Sequence, residues 1–138
     1  GVFFKLTPIN ISKMKFDTQI QNIALAGAIT AGTNSLAGTI NLDSKFKRCV
    51  GIKVVPIDNG GLTQYDIKIQ HPELSERDPV DYRDWNVSSG QNYRATFKPL
   101  DISAAGAKVD VWVTNRLQSI AGGQTLRFQV IYLLSNEE

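Results

Sequence analysis

A chain of 138 residues with 42% hydrophobic and 20% charged side chains is long enough for one ordinary hydrophobic core and too apolar to stay disordered. A formal charge of +2 is too small for a nucleic-acid surface, the single cysteine excludes an internal disulfide, and the single histidine excludes a histidine-rich zinc site. The longest apolar stretch, Ile23 to Gly32, is about half of what a membrane-spanning helix requires, and no secretory leader is read in the first residues.

In chain order, GVFFKLTPINI comes first, and its Val2, Phe3, Phe4, Leu6 and Ile9 are too apolar for a free tail. Residues 1–12 are expected to form an extended arm added to a neighbour's sheet edge. SKMKFDTQI sets Met14, Phe16, Thr18 and Ile20 on one side of an expected strand. NIALAGAITAGTN is rich in alanine, but Gly27, Gly32 and the β-branched Ile23, Ile29 and Thr30 oppose a helix, so it reads as strand or irregular chain. SLAGTINLD offers Leu36, Gly38, Ile40 and Leu42 to one face. KFKRCVGIKVV offers Phe46, Val50, Ile52 and Val54, with Lys47, Cys49, Gly51 and Lys53 opposite and Arg48 interrupting the apolar side. DNGG then supplies residues that tolerate positive φ, and TQYDIKIQ alternates Tyr65, Ile67 and Ile69 with Asp66, Lys68 and Gln70. The two runs read as a β-hairpin.

HPELSERDPVDYRDWNVSSGQ holds Pro72, Pro79 and many acids, which rules out a central strand, and Pro72 suits the first position of a short helical turn. NYRATFK sets Tyr93, Ala95 and Phe97 against Arg94, Thr96 and Lys98, and KVDVWVTN sets Val109, Val111 and Val113 against Lys108, Asp110, Trp112 and Thr114. In TLRFQVIYLL, Leu126, Phe128, Val130, Tyr132 and Leu134 share one face, while Ile131 and Leu133 make the other apolar as well. Such a strand is central and covered on both sides, or it meets a partner. Short strands separated by turn clusters, with no helix-period segment, read as one all-β domain over residues 1–138, two antiparallel sheets stacked as a sandwich. The pattern leaves open whether the sheet closes.

No motif identifies a reaction or a cofactor. His71, before Pro72, reads as an exposed loop residue rather than a general base. Glu73, Glu76, Asp78, Asp81 and Asp84 crowd one loop without the spacing of a calcium loop, and Arg77 and Arg83 among them favour surface ion pairs over a metal. DNGG and AGGQ lack the helix and the Lys-Ser/Thr pair of a phosphate cradle. Cys49 reads as a structural thiol, since a nucleophile would need a histidine beside it. The basic residues Lys45, Lys47, Arg48 and Lys53 read as solvated strand positions. Residues 1–69 carry 8 basic and 4 acidic side chains and residues 70–138 carry 7 and 9, a modest asymmetry. Trp112 shares a strand face with Asp110 and Thr114, where an aromatic patch would contact protein or sugar, or be covered by the chain itself. Trp85, in the long loop, is expected to anchor that loop to the core, with ligand stacking as the other use.

Two function classes remain: a structural protein that assembles through its surfaces, or a carbohydrate- or ligand-binding module. For the first, Phe3, Phe4, Leu6, Trp112, Ile131 and Leu133 are the candidate interface; for the second, Trp85 and Trp112 are the candidate stacking residues. The succession of short strands, the apolar GVFFKLTPINI and the late TLRFQVIYLL resemble the small single jelly-roll virion proteins of icosahedral viruses and tailless phages, pentons and minor capsid proteins among them. The resemblance implies eight strands in two sheets as a jelly roll, a homo-oligomer meeting neighbouring structural proteins in a virion, and no catalysis; from the residues themselves no cofactor or metal is expected.

Overall fold

The computed structural model describes residues 16–74, 80–85 and 96–136. Their strands are β1 (Phe16–Ala26), β2 (Asn34–Asn41), β3 (Arg48–Asn59), β4 (Asp66–Gln70), β5 (Val80–Asp81), β6 (Lys98–Ser103), β7 (Lys108–Thr114) and β8 (Thr125–Ser135). Two antiparallel sheets result, one ordered β1-β8-β3-β6 and the other β2-β7-β4-β5, in which β5 is a two-residue edge. The pairs β4·β5, β3·β6, β2·β7 and β1·β8 nest like one long hairpin rolled over on itself. The pairs β3·β8 and β4·β7 then complete each sheet. This is the jelly-roll order. No helix among the described residues is long and apolar enough to cross a membrane.

Alternation builds the core. Val109, Val111 and Val113 of β7 and Ile67 and Ile69 of β4 face Ile52 and Val54 of β3 and Leu126, Phe128, Val130, Tyr132 and Leu134 of β8, all buried. Burying each such side chain contributes roughly 1.5–3 kcal/mol. Tyr65 is fully buried, its ring stacked on Tyr82 at 4.3 Å and on Phe128 at 5.7 Å. The Tyr132 hydroxyl is satisfied inside the sandwich by donating to Gln21 Oε1 at 2.8 Å.

Several expectations are corrected. DNGG does not make a hairpin, because β3 and β4 belong to different sheets. Gly60 and Gly61, at φ of 59° and 83°, carry the chain from one layer to the other, and Asp58 Oδ1 accepts from the Gly60 N–H at 2.9 Å. Turn chemistry dictates a reversal; it does not say which layer the next strand joins. In β3, a bulge between Cys49 and Gly51 resets the alternation. Cys49 therefore sits inside with Ile52 and Val54, and Val50 packs with the residues of the outer face. A second bulge, between Leu36 and Gly38, leaves Leu36 49% exposed while Ile40 and Leu42 pack inward. Of the strand expected over NYRATFK, residues 92–95 lie outside the described residues, as do Met14 and the arm 1–12, while Thr96 and Phe97 precede β6, which begins at Lys98. Pro99 had hidden β6, and it is tolerated because β6 is an edge strand.

At one end of the sandwich, the β1–β2 and β7–β8 connections are pinned together. Ile29 and Ile120 exchange backbone hydrogen bonds of 2.9 and 2.8 Å, and the Asn115 amide donates to the carbonyls of Ile29, Thr30 and Gln118.

Candidate functional site

The sandwich presents two outer faces of different chemistry. On the β2-β7-β4-β5 sheet, the register lines up Leu36, Trp112 and Lys68 in one row across three strands. Trp112 is half-buried at its centre, and its indole N–H donates to Gln70 Oε1 at 2.9 Å. Flanking rows are tied by cross-strand bonds: Thr39 Oγ1 donates to Asp110 Oδ1 at 2.7 Å, and Thr114 Oγ1 to Asn34 Oδ1 at 3.0 Å. Gln70, which holds the indole N–H, and Lys68, in register with Trp112, both line a cavity of about 320 Å³ on the adjoining rows, with His71, Leu74, Lys108 and Asp110 among its other walls. Lys108 Nζ and Asp110 Oδ2 are 4.0 Å apart. At the other end of this face, Asp66 is buried against Arg116, and Gln64 donates to it at 2.6 Å. Burial pushes the Asp66 carboxyl up, against the pull of Arg116. Asp81, paired in register with Asp66, is drawn down to about 2 by hydrogen bonds from Arg83.

The outer face of the β1-β8-β3-β6 sheet is apolar at one end. Phe97, Ile131 and Leu133 are buried there in a cluster separate from the inter-sheet core, with Phe16, Val50 and Val55 packed partly buried around them. Ile20, in register with Ile131, is 50% exposed. Lys53 Nζ sits 4.8 Å from the Phe97 ring centre and donates to Thr96 Oγ1 at 3.2 Å. The structure thus sets Trp112 on one sheet and Ile131 and Leu133 on the other rather than bringing them together. Phe3, Phe4 and Leu6 lie outside the described residues.

Trp85 ends a 3-10 turn over Tyr82–Trp85. It packs against the core, its indole N–H donates to Ile67 O at 3.1 Å, and Lys98 Nζ lies 4.9 Å from the ring centre. These contacts fix the long loop to β4. His71, expected to be exposed, is buried at 4%. Its Nε2–H donates to Ser103 O at 2.9 Å, and Nδ1 accepts from the Glu73 N–H at 3.0 Å. Both ring nitrogens are spent on holding the segment after β4 to β6, so neither is left for a substrate. Glu73 bonds the Ser103 hydroxyl, which holds its carboxyl below the usual range, and Arg48 joins Glu73 at 3.8 Å to Asp101 at 2.7 Å. Sequence reading missed this cross-sheet cluster because its members lie up to 55 residues apart. Glu76, Arg77 and Asp78 lie outside the described residues; among those described, no three His, Cys, Asp or Glu residues are grouped as metal ligands.

Cys49 is fully buried, 3.4 Å from Gly51 O, and burial pushes its thiol up to about 11. A protonated thiol behind two sheets reacts only when the chain opens. Alkylation of Cys49 by iodoacetamide in native buffer is expected to run at least about a thousandfold slower than in denaturant. Rapid native labelling would mean that β3 opens locally. Compared with known proteins, the chain matches no family model, no curated protein and no solved structure.

Proposed function

We propose that the chain is a non-enzymatic structural protein that assembles through its outer surfaces, a virion component of the penton or minor capsid kind. The observation that carries this reading is the second apolar cluster, Phe97, Ile131 and Leu133 outside the inter-sheet core, rimmed by Phe16, Val50, Val55 and the exposed Ile20. Solvated sheet faces alternate apolar-in and polar-out. The chain itself already covers Phe97, Ile131 and Leu133, so what this face leaves for a neighbour is the partly buried rim and the half-exposed Ile20, an apolar edge of the kind that marks assembly contacts. The jelly-roll order supports the same reading, although that architecture also serves lectins and cupins, so the surface rather than the fold bears the weight.

In size-exclusion chromatography with light scattering, the protein should run at a multiple of its 15.2 kDa chain mass. Ile20→Asp, which puts a charge on the exposed rim while leaving the core untouched, should shift it to the monomer with an unchanged far-ultraviolet spectrum. A wild-type protein that stays monomeric at its highest soluble concentration would remove the reading, and mass spectrometry of purified particles tests the virion assignment directly.

A further inference from the structure

The face around Trp112 is on the sheet that the assembly reading does not use, and its chemistry is that of a ligand site. From its geometry we infer that Trp112 and the adjoining cavity form a binding site for a neutral saccharide.

The indole sits among hydrogen-bonded neighbours that fix its place: Gln70 holds the ring N–H at 2.9 Å, and Asp110, next on the same face of β7, is held by Thr39 at 2.7 Å. Its face is therefore set before any ligand arrives, which lowers the ordering cost of binding. A pyranose presents a flat patch of C–H groups and an edge of hydroxyls that both donate and accept. The indole supplies a surface for the first. The cavity supplies partners for the second: the Lys108 ammonium as donor, the Asp110 carboxylate as acceptor, and the Gln70 amide nitrogen, which donates to no described residue. At about 320 Å³ the cavity stands at the small end of ligand sites, the scale of a sugar unit rather than an extended polymer.

Charge chooses the class of sugar. Lys68, Lys108, Arg83 and Arg116 are interspersed with Asp66, Asp81 and Asp110, and Arg83–Asp81, Arg116–Asp66 and Lys108–Asp110 are already ion pairs. A face of alternating sign on which Arg83, Lys108 and Arg116 are each paired with an acid does little to concentrate anions, so a sulfated or sialylated chain gains little from it. An apolar peptide would strand the polar rows on either side of the indole.

The intact protein is applied to an array carrying neutral and acidic oligosaccharides, and retained structures are titrated by isothermal calorimetry. Neutral glycans should be retained with little dependence on salt. Trp112→Ala should weaken binding at least about tenfold, and Asp110→Asn and Lys108→Ala should each weaken it while leaving the thermal melt unchanged. If Trp112→Ala does not fold, the two cavity variants decide alone. Retention of acidic glycans only, lost with salt, overturns the neutral class. No retained glycan, or binding unmoved by the cavity variants, overturns the site. Assembly is read separately by light scattering, so either result leaves the other standing.

Discussion

Phe128→Ala should destabilise the protein by about 3–5 kcal/mol, a large share of the roughly 5–15 kcal/mol that holds a domain of this kind together. The side chain is fully buried on the central strand β8 and packs at 5.7 Å against Tyr65, which itself stacks on Tyr82. Removing the ring takes the shared wall from both sheets at once, and two flanking strands hydrogen-bonded to β8 limit how far the gap can collapse. With a urea slope of about 2 kcal/mol/M the midpoint should fall by roughly 2 M. Tyr65→Phe is the contrasting case. Among the described residues the buried Tyr65 hydroxyl has no hydrogen-bond partner, and burial pushes its ionisation far up. Deleting that oxygen keeps the stack and removes an unsatisfied group, so stability should hold or rise by up to about 1 kcal/mol. A Phe128→Ala loss below about 1 kcal/mol would mean that the two sheets do not close on this ring.

The period-2 pattern carried the sandwich because burial on one face is a local property of each strand, and the valines of β7 and the inner row of β8 face the core as their alternation implies. Bulges escape that reading. One extra residue at Val50 or Ala37 inverts the face of everything before it, and neither position differs in composition from an ordinary strand residue. Strand partners escape it too. Jelly-roll pairing joins β1 to β8 and β2 to β7 across most of the chain, whereas the turn residues of DNGG report only on their own neighbours. The candidate site was half legible for the same reason. Trp112, Asp110 and Thr114 share a face by alternation within one strand, but the row Leu36–Trp112–Lys68 exists only through pairing with β2 and β4. His71 was misjudged because its two hydrogen-bond partners come from its own following turn and from Ser103, 32 residues on.

Gly27→Ala should be the most damaging glycine-to-alanine change among the described residues. A β-carbon built there overlaps Ala121 O and lies 2.8 Å from both Ala121 C and Ile120 O, all main-chain atoms with no flexible end to swing aside. The close approach is structural: the Gly27 N–H donates to Gln124 O at 2.9 Å, and two residues on, Ile29 and Ile120 bond each other in both directions. Making room means parting these connections, which strands buried backbone groups and the Asn115 amide that bridges them. A cost of about 3 kcal/mol or more follows, read as a melting temperature lower by roughly 10 °C. Gly122→Ala tests the explanation in the β7–β8 connection that Gly27 meets, one residue past Ala121. No atom of the described residues lies within 4 Å of a β-carbon at that site, so the added methyl should leave the melt unchanged or raise it slightly by restricting the unfolded chain. Equal losses in the two variants would show that this end of the roll tolerates no added side chain on either connection, whereas a loss confined to Gly27 identifies its contact with Ile120 and Ala121 as the joint that locks this end of the roll.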